Sequence, residues 1–201
     1  MPFFFGGRAC LDFVNTVNSR SRPATKDYLP DSAALLGWCR QVRLFDAPTL
    51  AHLRALAKAD TRAAEAAHAK AIILREALFT IFQSVIDLRD APDNALDLLA
   101  GLVSEARRHQ RLKAASGGFI WLWKEGQLDL SAPLYAVALS AEALLTGEDP
   151  RRLKACPGPD GCGWLFHDET KNGSRRWCSM DHCGGMAKAR RHAARMKENR
   201  P

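Results

Sequence analysis

The chain lacks any hydrophobic run long enough to cross a bilayer: nowhere in its 201 residues do the roughly 18 apolar positions of a spanning helix occur together. Its first residues, Met-Pro-Phe-Phe-Phe-Gly-Gly-Arg, have no positively charged start and only a short apolar stretch, so no secretory signal is expected. The expected compartment is the reducing cytoplasm, with no membrane partner. The signatures of common enzyme sites are also missing. There is no P-loop, no dinucleotide fingerprint, no GxSxG elbow and no HExxH pair. No paired carboxylates or histidine-rich second metal site accompany the cysteines described below, so His167, Asn172 and His182 do not make a nuclease centre and no enzyme is expected. Internal repeats are absent, and low complexity is limited to alanine enrichment.

What is present is uneven. Residues 1–150 carry 17 Lys+Arg against 17 Asp+Glu, whereas residues 151–201 carry 12 against 5, so the whole net charge of +7 lies in the last quarter. A 47% hydrophobic content suffices for a core in the larger part. A neutral body joined to a basic end is the pattern of a regulatory or oligomerising domain carrying a polyanion-binding module.

That end holds four of the six cysteines. Cys156 and Cys162, then Cys178 and Cys183, form two close pairs separated by fifteen residues, the spacing of a closed four-thiolate site. Soft thiolates select zinc, and four of them leave no open coordination position, so the expected zinc is structural. Replacement of a thiolate by His167 or His182 is the weaker arrangement. Cys10 and Cys39 stand alone and are expected as small buried apolar side chains.

Between the first pair lies Pro157-Gly158-Pro159-Asp160-Gly161, nearly all turn formers, which predicts a knuckle. Gly163–Asp168 and Arg175–Cys178 are expected as the strands of a hairpin turned at Asn172-Gly173, with a helix from Cys183. Knuckle, hairpin and helix in this order make a treble clef. Trp164, Phe166 and Trp177 would supply its small core, and zinc the remainder, on the order of 10–16 kcal/mol in isolated finger peptides. On the final helix Met186, Ala189, Ala193 and Met196 share an arc expected to pack inward. Lys188, Arg191 and Arg195 face outward. With Lys171, Arg175 and Arg176 they make the expected nucleic-acid surface.

Upstream, the residues around Leu11–Val17 predict a short strand entering a helix, and Arg20–Pro30 a loop. Helices are expected over Asp31–Arg43 with Asp31 as N-cap, from Asp46 to about Ala59 with Pro48 in the first turn, and over Thr61–Asp90, where apolar residues recur every three or four positions. A helix starting near Pro92 carries the stripe Leu96, Leu99, Leu102 and Val103 into the charged Arg107–Lys113. Ser116-Gly117-Gly118 ends it. Phe119–Trp123 and Leu128–Leu130, turned at Glu125-Gly126, are expected as a hairpin, and Leu134–Leu145 as the last helix of the body. Gly147–Arg152 is the expected linker. The fold class is thus mainly α: a helical domain with a small β-hairpin over 1–147, expected to fold alone, then a treble-clef-like zinc finger of β-hairpin plus helix over 151–201.

Leu165-Phe166-His167-Asp168, the run Ser174-Arg175-Arg176-Trp177-Cys178-Ser179-Met180 and Cys183-Gly184 resemble the bacterial CGNR zinc finger. Gly6-Gly7 followed by Leu11-Asp12-Phe13-Val14-Asn15-Thr16 resembles the start of the ABATE domain that precedes that finger. The two resemblances together imply a transcription regulator that binds DNA through its finger. Gly185 and Met186 stand where the naming motif has Asn and Arg, and the first cysteine pair is one residue wider. The expected function is DNA binding, with the N-terminal domain dimerising or sensing a small-molecule effector; the alternative is a non-enzymatic module for RNA or a protein partner. Asp12 and Asn15 are expected in capping or internal hydrogen bonding rather than ligand contact.

Overall fold

The computed structural model describes residues 4–20, 26–124, 126–147, 149–158 and 161–198. Residues 21–25 of the expected Arg20–Pro30 loop, Glu125 of the expected turn, Glu148 of the linker and the Pro159-Asp160 part of the knuckle lie outside that set. Seven α-helices and two short antiparallel hairpins are described.

The helices begin where short polar side chains can take up free backbone N–H groups. Helix α2 (Ser32–Gln41) follows Asp31, which accepts from the Ala34 N–H at 2.7 Å. Asp46 does the same for Thr49 at 2.9 Å at the start of α3 (Ala47–Ala59), and Asp60 for Ala63 at 2.8 Å at the start of α4 (Thr61–Ile86). Helix α4 buries Ala64, Ala67, Ala71, Leu74, Leu78, Ile81 and Phe82, a stripe with helical periodicity. It packs against α1 (Ala9–Val14), α2, α3, α5 (Asp93–Arg108) and α6 (Ala132–Gly147), so it is the axis of the body. Helix α6 buries Leu134, Val137, Ala138, Ala141 and Leu144 against α5 and α1.

Four expectations change. Leu11–Val14 lie in α1, and no strand precedes it among the described residues. Leu96 of the α5 stripe is exposed, whereas Leu99 is buried. The hairpin of the body is one element earlier than expected: β1 (Gln110–Ala115) pairs with β2 (Gly118–Trp123) across Ser116-Gly117, with Leu112 opposite Trp121 and Ala115 opposite Gly118. Gly117 has φ 84°, the left-handed conformation that a two-residue hairpin turn requires. Leu128–Leu130 form no strand. Finally, the finger hairpin consists of β3 (Leu153–Ala155), ahead of the first cysteine, and β4 (Leu165–His167); Arg175–Cys178 are not a strand.

The two regions are not separate cores. Leu153 of β3 and Leu165 of β4 are buried in the same cluster as Phe13, Trp38, Leu74, Phe82 and Val137. Only Phe166, on the other face of β4, turns toward the cysteines. The expectation that residues 1–147 fold alone therefore meets a body whose core extends into residues 153 and 165. Cys10 and Cys39 are buried in that core as expected, and burial pushes both thiols up to about 12.

Candidate metal centre

The β3–β4 hairpin places the first cysteine pair. Its loop is closed by the Cys156 N–H donating to the Trp164 carbonyl at 2.8 Å and the Gly163 N–H donating to the Cys156 carbonyl at 3.2 Å. Gly158 sits against the thiols: a Cβ there would lie 2.6 Å from the Cys162 Cβ and 3.1 Å from the Cys183 Sγ, so no other residue fits without displacing a sulfur. The second pair is set by a single wide helical turn, Met180–Gly184, entered at Ser179, whose hydroxyl accepts from the His182 N–H at 3.4 Å. Cys178 precedes this turn and Cys183 lies in it.

The four Sγ atoms all fall within 4.8 Å of one another. Cys162 and Cys178 are 3.8 Å apart and Cys178 and Cys183 3.6 Å. Four thiolates about 2.3 Å from a tetrahedral ion have sulfurs about 3.8 Å apart, so the donor set matches a closed metal site. His167 and His182 are not in the cluster. Around it pack Trp164, Phe166 and Trp177, as the sequence suggests, and also Phe5.

The thiols divide: hydrogen bonds from Cys162 and Cys178 hold Cys156 well below its usual value, and its ionisation opposes that of its neighbours. Hydrogen bonds and charge from Cys156 push Cys162 up to about 12, and those of Cys156 and Cys162 push Cys178 higher still. A divalent cation at the centre reverses this balance, because it favours all four thiolates together.

Arg175, expected on the nucleic-acid surface, is used internally. Its guanidinium donates to the carbonyls of Phe5 at 2.8 Å, Cys178 at 2.6 Å, Trp177 at 3.1 Å and His167 at 3.3 Å, and lies 4.4 Å over the Phe166 ring. It ties both sides of the cysteine cluster to the N-terminal segment. Beside it Asp168 is fully buried and accepts from Lys154 Nζ at 2.6 Å, the Thr170 hydroxyl at 2.6 Å and the Arg175 N–H at 2.9 Å. Burial raises its pKa, but these donors prevail and hold the carboxyl well below the usual range. The loop from 168 to 175 is thereby fixed around one carboxylate.

Helix α7 (Gly185–Glu198) continues from the cysteine turn. None of residues 185–196 is buried, and among the elements of the fold the helix's main contact is with that turn. The expected inward arc is therefore corrected: Met186 is 43% and Met196 59% exposed, because no other element lies beneath the helix. Lys188, Arg191 and Arg195 do share a face and, with His192, line one recess. Lys171 and Arg176 are exposed on the preceding loop, Arg176 stacked 5.1 Å over Trp177.

The residues absent from any sequence-level site are those that join finger to body. Asn15, buried at the end of α1, donates to the Leu165 carbonyl and accepts from the Leu165 N–H, both at 2.8 Å. The Trp164 indole donates to the Val17 carbonyl at 2.9 Å and the His167 N–H to the Gly6 carbonyl at 2.9 Å. Asp12 accepts from the Gly6 N–H at 2.8 Å, and burial pushes its carboxyl up to about 6. Asp12 and Asn15 thus bond internally, as expected.

A helical body sharing its core with a four-cysteine hairpin finger defines the class. Residues 7–148 match the ABATE family model, described as "Putative stress-induced transcription regulator", and residues 152–196 match the CGNR zinc finger model. The first match covers well over half of the chain, and the protein belongs to the ABATE family. A comparison with curated proteins gives no match. Neither family description names an enzyme, and no described helix is long and apolar enough to cross a membrane.

Proposed function

We propose that the protein is a DNA-binding transcription regulator in which Cys156, Cys162, Cys178 and Cys183 hold one structural zinc. The observation that carries this reading is α7, an exposed cationic helix joined without a linker to the cysteine cluster. Lys188, Arg191 and Arg195, spaced three and four residues apart, can meet successive phosphates of one backbone, with Arg176 and Lys171 adding charge from the preceding loop. Zinc, when bound, contributes folding energy and no reaction chemistry, since four thiolates leave it no open position. The reading assigns the protein to the reducing cytoplasm, where thiolate ligands are kept from forming disulfides. The body would then serve as the dimerising or effector-sensing domain.

Fluorescence anisotropy with a labelled duplex over a range of salt tests the reading. With about four phosphate contacts, log K should fall against log salt with a slope near −3.6, at about −0.9 per contact. Replacing Arg191→Ala and Arg195→Ala together should flatten the slope by nearly 2 while the metal stays bound. Arg175→Ala should lower stability and leave the slope unchanged. Absence of salt-sensitive duplex binding at low ionic strength would reject the DNA reading; binding to structured RNA instead would move the same surface to that ligand.

A further inference from the structure

The β1–β2 hairpin is anchored at its base, where Trp123 packs on the core, and the Arg107 guanidinium lies 5.2 Å over the Trp121 ring, but most of both faces is open. Apart from Gln110 at its base, every residue of β1 is exposed, as are the first four of β2. Four of these are bulky and apolar: Leu112 is 54%, Phe119 71%, Ile120 46% and Trp121 49% exposed. A two-stranded hairpin that buries so little of either face is marginal in water, and an apolar strand edge attracts another strand.

The two edges differ in charge. Strand β1 carries Arg111 and Lys113, which would repel a second β1 laid alongside. Strand β2, Gly-Phe-Ile-Trp-Leu-Trp, carries no charge. Its outer edge has no partner strand among the described residues. The ladder continues beyond the strands, where the Lys124 N–H donates to the His109 carbonyl at 2.9 Å, so His109 and Lys124 form a hydrogen-bonded pair. Counting by twos along the register places Arg111–Leu122 and Lys113–Ile120 in the same class, which turns the backbone groups of Phe119, Trp121 and Trp123 outward. The same count turns Leu112 and Ala114 outward on β1, so both edges offer donors and acceptors, and β2 is the one that offers them without charge.

We infer that β2 is a dimerisation edge and that its occupant is β2 of a second copy of this chain, giving a four-stranded sheet in the order β1-β2-β2-β1. A two-fold axis at Trp121 sets Trp121 against its own copy and Phe119 against Trp123 of the second copy; antiparallel pairing of this kind is what a closed, isologous dimer permits. The exposed apolar area is a large part of what an interface needs. At roughly 180 Å² for each fully exposed side chain, the four apolar residues expose about 400 Å² per copy, about 800 Å² for the pair. That is about two thirds of the ~1,200 Å² at which specific interfaces begin, before the β2 backbone and the turn are counted. The arrangement keeps the basic β1 strands on the outside. It also deepens the proposed regulator reading by giving the body its dimerising role.

Sedimentation equilibrium of the full-length, metal-loaded protein tests the inference. Wild type should dimerise with a dissociation constant of about 10 µM or tighter. Trp121→Lys places like charges opposite each other on the axis and should weaken the dimer at least 100-fold, roughly 2.7 kcal/mol at 1.36 kcal/mol per tenfold. Phe119→Lys should weaken it also, and Lys113→Glu, on the outer strand, should not. Thermal melts of the two β2 variants check that the body remains folded, and the two variants together guard against one failing to fold. A wild-type protein monomeric at about 100 µM would overturn the inference, as would dimers of Trp121→Lys and Phe119→Lys as tight as wild type. The monomeric variant retains α7, so its salt-dependent duplex binding, measured separately, reports on the regulator reading and not on the dimer.

Discussion

Replacing Asn15 by alanine tests whether the finger and the body are one folding unit. The Asn15 amide is a buried link between them: its removal strips the Leu165 N–H and carbonyl of their partners, both in the buried core. A buried polar group left unsatisfied costs about 1–3 kcal/mol, so the pair of losses amounts to about 2–6 kcal/mol. Against a stability of about 5–15 kcal/mol for a chain of this kind, that is a large fraction. In urea, with a slope of about 2–3 kcal/mol per molar, the unfolding midpoint should fall by about 0.7–3 M. Release of the metal to a colorimetric chelator should accelerate in the same variant, because β4 carries the loop between Cys156 and Cys162. Glu169→Ala supplies the contrast. It removes the ion pair with Arg8, which also bridges body and finger but lies at the surface, and should leave the midpoint nearly unmoved. A midpoint shift below about 0.5 M for Asn15→Ala would show that the finger docks without this bond and would refute the reasoning.

Cys178→Ser should reduce metal, measured by elemental analysis, from one ion per chain to none, and a full complement would reject the four-cysteine assignment. A chain ending at residue 147 should not melt cooperatively, since Leu153 and Leu165 leave the core and Asn15 loses its partners; a sharp calorimetric transition would show that the body closes without them. Asp168, with its lowered pKa, adds stability that is fully present above the unfolded value near 3.9 and is lost as pH falls below it. The stability gap between wild type and Asp168→Asn in urea titrations should therefore shrink as pH drops below about 4, and a gap constant down to pH 3 would count against a charged Asp168.

The helices were legible because their signals are local. Asp31 and Asp46 announce α2 and α3 within three residues of the groups they cap, and the periodicity from Ala64 to Phe82 needs only α4 itself to be read. Strand β1 was not legible, since Gln-Arg-Leu-Lys-Ala-Ala is a favourable helical sequence. It becomes a strand because Ser116-Gly117 folds it back on Phe119–Trp123, and pairing overrides propensity. Strand β3 is three residues long, too short to show a period, and its partner lies across the knuckle. The four-cysteine cluster could be found from spacing alone, as two close cysteine pairs leave few alternatives. Arg175 could not be placed, because a cation in sequence looks the same whether it meets a phosphate or four backbone carbonyls. The Asn15–Leu165 bond spans 150 residues and has no local sign.

Residues 185–196 of helix α7 bury none of their side chains, and this separates the demands on their sequence from those on the core. Elsewhere a substitution must first satisfy packing: Gly158 has no room for a methyl group, and Leu165 fills both a strand and a core. Along α7 the only structural requirement is helix propensity, which Ala, Arg, Lys and Met all meet. Gly185 and Met186 can thus stand where the family motif has Asn and Arg without a packing penalty, since Gly185 is exposed and Met186 meets no core. On the proposed reading, the residues that would touch a nucleic acid can vary largely independently of those that make the protein fold, so a change of ligand on this helix would leave the scaffold that presents it the same.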